Sequence, residues 1–212
     1  MRSDREIFLG QITFINNNSV EVEVIRKLGE IENKTKKNGK QIILIQSIGN
    51  QKQMNMIMEK VTEIGIDQII PIVSEFSGSS LIKARKNFTH WNQIIDSARL
   101  QSRNPSPPIL TKPMHIDDLP SLLKKYKYLQ SSFRKLCLSS EVIERKVFSK
   151  SIIDKPENYI IAIGPEKGWS HKDLEIMKNL NFEFVTLGQN ILRIETAAIA
   201  IASILRFLIK NY

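Results

Sequence analysis

Tyr159-Ile-Ile-Ala-Ile-Gly-Pro-Glu-Lys-Gly-Trp-Ser170 decides the fold class. Its first five residues are apolar without interruption, as in a strand covered on both faces. Gly164 and Pro165 end that run. Ser170, with Asp173 three residues on, resembles a capping box and opens a helix predicted over 170–180. Strand, glycine-containing loop and helix together form the repeating unit of an α/β domain.

The same unit recurs towards the C-terminus. A strand over 182–187 runs into Leu187-Gly-Gln-Asn-Ile-Leu-Arg-Ile-Glu-Thr-Ala-Ala198, and a helix follows over 195–210. Upstream, Met54, Ile57, Met58, Val61 and Ile64 fall at helical spacing from about Lys52, and Gly65 suits the position just past a helix C-terminus. That methionine stripe reads as core packing. Residues 68–73 read as a buried strand with Pro71 awkward inside it. Residues 87–102 form a helix that Asn104-Pro-Ser-Pro-Pro108 ends, a third helix covers 117–126, and strands cover 134–139 and 41–46. The alternation predicts an α/β fold with a largely parallel sheet. The opening differs. Residues 11–14 and 19–25 read as two strands, with Val20, Val22 and Val24 alternating with Glu21 and Glu23; residues 31–40 are polar and lysine-rich and read as an exposed loop. We therefore expect a small β module over 1–45 and an α/β domain over 46–212.

Composition narrows the classes of function. At 212 residues, 42% hydrophobic and 25% charged, the chain can bury one sizeable core. No apolar run reaches the roughly 18–20 residues of a membrane span, because Ser203 and Arg206 break the longest one. The start, Met1-Arg-Ser-Asp-Arg-Glu6, leads into no signal-peptide core. The single cysteine, Cys137, excludes an internal disulfide and a cysteine-based zinc site and reads as a buried small hydrophobe. His90, His115 and His171 lack ligand spacing, so no metal site is expected. These features point to the cytoplasm. The net charge of +9 lies wholly between Phe76 and Lys155, with fifteen basic against six acidic residues; elsewhere the signs balance. A localised basic segment attracts a polyanion. Lysine-rich composition by itself gives the same pI, so charge alone leaves nucleic acid and solubility as open readings.

Three constellations could carry chemistry. In Ile163–Ser170, Gly164 and Gly168 let the backbone approach a ligand, Pro165 stiffens the turn, and Glu166 either accepts hydrogen bonds from a ligand or orients a loop. The spacing matches neither a dinucleotide fingerprint nor a phosphate-binding loop ending in Lys-Ser/Thr. A bare strand-to-helix turn satisfies it too. In Leu187–Ala198, Gly188 and Asn190 suit a tight turn. Glu195 complements the helix dipole and is open to a purely structural reading, whereas Arg193 opposes that dipole and calls for an anion, a base edge or Glu195 as partner. Both loops follow strands, and in open α/β sheets ligands bind beyond the strands' carboxyl ends. In Trp91–Arg103, Trp91 and Ala98 share a core face; Gln101 and Arg103 at the helix end are either surface residues or phosphate contacts. Lys83, Arg85 and Lys86 form a basic cluster in an expected loop.

Taken together, these segments resemble the RsmE-type uracil-N3 methyltransferases of 16S ribosomal RNA, of the SPOUT class. The paired motifs Ile163-Gly-Pro-Glu-Lys-Gly168 and Leu187-Gly-Gln-Asn-Ile-Leu-Arg-Ile-Glu-Thr-Ala197 carry the match. Glu59-Lys-Val-Thr-Glu-Ile-Gly65, Ser74-Glu75 and the Trp91…Ala98…Gln101-Ser-Arg103 helix extend it from about residue 41 to the end. The resemblance implies a C-terminal trefoil knot, a shortened PUA-like RNA-binding remnant at the N-terminus, a homodimer, and S-adenosylmethionine as cofactor. It implies cofactor contacts at Ser139, Ile163, Gly164, Pro165, Glu166, Gly168, Leu187, Gly188, Ile191, Leu192, Thr196 and Ala197. It implies ribosomal RNA contacts at Lys83, Arg85, Lys86, Gln101 and Arg103. Catalysis falls to Arg193, stabilising the uracil oxyanion, and to Glu195, orienting Arg193 or receiving the proton. The sequence departs from the pattern at Lys167, where the family usually has the first of two glycines, at Phe76, where arginine is common, and at Leu100, where glutamate is frequent. These departures leave two rivals in view, a SPOUT enzyme for another RNA and a catalytically silent RNA-binding relative. A nucleotide-dependent oxidoreductase is a distant third.

Overall fold

Every residue of Ile42–Ser47 (β3) is buried, as in a strand with helices against both of its faces. The computed structural model describes residues 6–30, 40–130, 132–140, 146–148 and 158–210, and its contacts divide the chain into Met1–Gly39 and Lys40–Tyr212. The first unit is an antiparallel ribbon of Glu6–Ile15 (β1) and Val20–Glu30 (β2) with register shifts along it. Asn16 turns the chain, its Oδ1 accepting from the N–H groups of Asn18 and Ser19. Most of the loop read over 31–40 lies outside the described residues.

The second unit is a parallel sheet. Gln68–Val73 (β4), Ile109–Leu110 (β5), Met114–His115 (β6), Phe133–Leu138 (β7), Lys146–Val147 (β8), Asn158–Ile163 (β9) and Glu183–Thr186 (β10) join β3 in the order β5-β4-β3-β9-β7-β10-β8, with β6 also on β4. All these pairs are parallel, so each crossover must climb over a face. Gln51–Ile64 (α1), Phe88–Ser102 (α3) and Ile194–Lys210 (α6) bury Met54, Ile57, Met58, Val61, Trp91, Ile95, Ile201 and Leu205 on one face. Leu119–Lys125 (α4) and His171–Asn179 (α5) bury Leu119, Leu123 and Met177 on the other. Cys137 is buried there as well. The methionine stripe is core, as its period required.

Three features differ from the sequence reading. The unit boundary falls at Gly39/Lys40 and not at 45/46, because β3 pairs with both β4 and β9 and so belongs to the centre of the sheet. Lys83, Arg85 and Lys86 lie on a short helix, Leu81–Lys86 (α2), and not in a loop; Ser80 caps it, its Oγ accepting from the Lys83 N–H. Pro71 sits inside β4 without breaking the ladder. The carbonyls of Asp67 and Ile69 accept from β5 and the residue after it, so odd-numbered β4 residues point to that side. At Pro71 that side falls between the β5 and β6 pairings, where the missing N–H has no acceptor to satisfy.

Candidate active site

The C-terminal ends of β7, β9 and β10 open into a cavity of about 280 Å³, just under the lower end of the roughly 300–1,000 Å³ typical of small-molecule sites. Leu138 and Ser139 end β7, Ile163 and Gly164 end β9, and Thr186 and Leu187 end β10; all six line the cavity. Parallel pairing brings these three loops together at one edge, where the chain turns back over opposite faces of the sheet.

The β9 loop is built around a tryptophan. A Cβ on Gly164 would lie 2.9 Å from two atoms of the Trp169 indole, so glycine is needed here for space. The Trp169 ring is 3% exposed, and its Nε1–H donates to the Leu138 carbonyl at 2.9 Å, tying the β9 loop to the end of β7. Gly168 donates to the Pro165 carbonyl at 2.9 Å and has φ +78°, a conformation that favours glycine. Ser170 and Asp173 form a reciprocal capping box at the start of α5. Asp173 Oδ2 also accepts from the Glu75 N–H, which ties α5 to the loop after β4.

Glu166 lines the cavity, and its Oε1 accepts from Gln53 Nε2 at 2.5 Å. Gln53 also closes the capping box of α1, its Oε1 accepting from the Asn50 N–H. The carboxylate therefore anchors the β9 loop to the start of α1, which is the loop-orienting alternative of the two weighed for it. The loop after β3 is equally close: a Cβ on Gly49 would meet Ile194 Cδ1 at 2.5 Å.

The loop after β10 forms the outer wall. Asn190, Ile191, Leu192 and Arg193 line the cavity, followed by Ile194 and Ala197 from the first turn of α6. Ile191 is 84% exposed. The Arg193 carbonyl accepts from the Ala197 N–H at 2.8 Å, placing Arg193 at the helix N-terminus. Its side chain is exposed and makes no ion pair or hydrogen bond among the described residues. The pairing of Arg193 with Glu195 is not formed. Glu195 is not among the residues of the wall, and its Oε2 is buried without a hydrogen-bond partner.

Of the residues expected at a cofactor, Ser139, Ile163, Gly164, Pro165, Glu166, Gly168, Leu187, Ile191, Leu192 and Ala197 line this one cavity. Gly188 and Thr196 do not; a Cβ on Gly188 would meet nothing within 4 Å. Sequence reasoning passed over Trp169, Val185, Thr186 and Ile194, although the room Gly164 leaves needs a bulky neighbour. Lys83, Arg85, Lys86, Gln101 and Arg103 are exposed and lie outside the cavity. Arg103 caps the end of α3 with φ 56°. Among the described residues no three His, Cys, Asp or Glu side chains gather as a metal set, and no helix is long and apolar enough to cross a membrane.

A parallel α/β domain with a ligand cavity across three strand ends is matched by the family model for the RNA methyltransferase domain over residues 36–206. Within that class the chain belongs to the ribosomal RNA small subunit methyltransferase E family. It is 34% identical over 185 residues to the Mesomycoplasma hyopneumoniae member, covering 86% of this chain and 74% of that protein. A methyltransferase from Legionella pneumophila, solved with bound cofactor SAM, superposes with a TM-score of 0.77 at 26% identity, covering 96% of this chain and 79% of that one. The ribosomal RNA small subunit methyltransferase E of Neisseria gonorrhoeae, solved with S-adenosyl methionine, gives 0.73 at 25% identity, covering 97% and 80%.

Proposed function

We infer that this chain methylates N3 of a uridine in small-subunit (16S) ribosomal RNA, with S-adenosylmethionine as methyl donor. The observation that carries the reading is the cavity at the ends of β7, β9 and β10 with Arg193 in its wall. The residues present suit such a cofactor: apolar Ile163, Leu187 and Ile191 offer surface to an adenosine, and the Ser139 and Ser140 side of the cavity and the loop backbones offer polar groups. When bound, the cofactor supplies an electrophilic methyl group on a sulfonium.

The chain's own residues then have two tasks. Uridine N3 carries a proton and is a weak nucleophile until that proton leaves, so the site must stabilise negative charge on the uracil and align the ring. Arg193, which makes no ion pair among the described residues, is the group for the first task. The rigid loop walls serve the second, and alignment supplies a large share of barrier lowering. The target base leaves its stack to reach the cavity. Glu195 serves as proton acceptor in this reading, since among the described residues no bond joins it to Arg193; because it does not line the cavity, the proton reaches it through a water. Arg193→Ala is expected to lower kcat about 10²–10³-fold while S-adenosylmethionine binding, read by calorimetry, holds. Turnover near the wild-type rate would sink the role.

The finer features follow from the family resemblance. The fold is SPOUT-type with a C-terminal trefoil knot, the enzyme works as a homodimer, and it acts in the cytoplasm, where its ribosomal substrate lies. The β1–β2 ribbon is read as the PUA-like remnant that contacts RNA; the exposed Ile12, Ile15, Val20 and Val24 on it are surface of the kind a further layer covers in a complete barrel. The basic segment, with Lys83, Arg85 and Lys86 on α2 and Gln101 and Arg103 at the end of α3, is read as the surface that holds the RNA backbone.

A further inference from the structure

We propose that Lys167 grips a backbone phosphate of the RNA beside the target nucleotide and positions that nucleotide at the mouth of the cavity. The proposal rests on the RNA methyltransferase reading above. It concerns a residue where this chain departs from the glycine its motif resembles.

The turn that carries Lys167 is fixed at both ends. Pro165 restricts it on one side, and Gly168 closes it with the 2.9 Å bond to the Pro165 carbonyl. Both neighbours in sequence, Glu166 and Gly168, line the cavity, whereas Lys167 does not and is exposed. The side chain thus belongs to the rim of the cavity, not its interior, a place for substrate backbone and not for a bound cofactor. The adjacent carboxylate does not neutralise it through a bond: Glu166 is held by Gln53, and Lys167 has no ion pair among the described residues. With the turn already ordered, binding an anion has only the lysine side chain left to immobilise.

The surroundings make that anion a polynucleotide phosphate. Gln53 links Glu166 to the start of α1. The neighbouring Gly49–Asn50 backbone packs on Gly78, two residues before the Ser80 cap of α2. Lys83, Arg85 and Lys86 on α2 are exposed. Lys167, in the loop after β9, and α2, which follows β4, therefore both lie at the carboxyl edge of the parallel sheet, so a strand held on α2 can continue to Lys167 at the cavity rim. Arg193 lies in the cavity wall at the same edge.

The test uses the full chain and a full-length 16S ribosomal RNA transcript, with filter binding between 50 and 300 mM salt (about these limits), methyl transfer, and calorimetry with S-adenosylmethionine. Lys167→Gly is expected to weaken RNA binding roughly 3–10-fold at moderate salt and to lower the salt slope by about one phosphate contact. The kinetic loss falls mainly on KM for RNA, and cofactor affinity stays within about twofold. Lys167→Arg restores the slope; Lys167→Glu deepens the loss. An unchanged RNA affinity and slope in Lys167→Gly overturns the proposal, and so does a loss confined to cofactor affinity, which would put the ammonium on the cofactor's carboxylate. If the wild-type chain binds the transcript but transfers no methyl group, the enzymatic reading fails, and the salt slope still decides for or against the phosphate contact.

Discussion

Gly164→Ala is the change that most directly asks whether the cavity depends on the tryptophan behind it. The added Cβ would stand 2.9 Å from Cε2 and Nε1 of Trp169 and 3.1 Å from Cδ2. Ordinary carbon contact begins near 3.5 Å, so the ring must retreat by roughly 0.6 Å. It is poorly placed to do so. It is buried among Ile43, Ile45, Ala162 and Met177 in the core cluster beneath α5, and its N–H is engaged with the Leu138 carbonyl. Overpacking of this kind costs about 1–3 kcal/mol, and weakening a buried hydrogen bond adds about 1 kcal/mol. A loss of about 2–4 kcal/mol lowers Tm by roughly 4–16 °C in a domain of this size. Gly164 and Trp169 both line the cavity, so S-adenosylmethionine binding should weaken about tenfold or more, equivalent to about 1.4 kcal/mol. Thermal melts and calorimetry read both effects. In a Trp169→Phe background, which lacks the indole nitrogen, the same alanine should cost less, with a coupling above about 1 kcal/mol in the double-mutant cycle. An unchanged Tm and affinity, or strict additivity in the cycle, refutes the account of why residue 164 is glycine.

Other perturbations test other parts of the architecture. Arg206 on α6 bonds the Gly65 carbonyl and pairs with Asp67 at 2.7 Å, with both side chains largely buried; Arg206→Met removes the cation from the Asp67 carboxylate, which keeps the Ile42 N–H, and should cost up to roughly 3–5 kcal/mol in urea unfolding, much of it recovered in Arg206→Met/Asp67→Asn. Burial, with a smaller push from the Asp173 charge, raises the Cys137 thiol above its usual range. The unfolded thiol ionises near pH 8.5 while the folded one stays protonated, so stability that is full below that pH should fall as pH rises above it, by up to about 1.4 kcal/mol per unit. That component should be absent from Cys137→Ala when the two proteins are unfolded side by side across pH 8–10 (limits about the thiol range). Glu195→Gln separates proton acceptance from helix support: a kcat loss of about 10²-fold or more with Tm maintained supports the acceptor role, whereas unchanged turnover leaves Glu195 as a dipole partner.

The strand-to-helix units were legible because their signals are local. Five apolar residues ending in Gly-Pro, and Ser170 set three residues before Asp173, act within one turn of chain, and the structure keeps both. What escaped depends on distance. Ile42–Ile45 is apolar at every position, which marks a strand covered on both faces, yet proximity to the N-terminal ribbon drew it into the wrong module. Only its pairing with β9, more than a hundred residues later, places it at the centre of the sheet. Helix α2 is six residues long, half apolar and half basic, too short for periodicity to register, and its Ser80 cap was its sole local mark. The site shows the same division. The residues of the two glycine loops could be listed from sequence, and most of them meet in one cavity. The role of Glu166 could not be read there, because its partner Gln53 lies 113 residues away. Asn50 and Gln53 themselves carry a capping-box pattern, so sequence could mark where α1 begins but not that its cap would also hold the β9 loop. That shared residue makes the start of α1 part of the site: a change at Gln53 should loosen the helix cap and the cavity wall together, while Glu166→Ala, which removes the acceptor for Gln53 Nε2 but not the Gln53 Oε1 bond to Asn50, should disturb the wall and leave the cap in place.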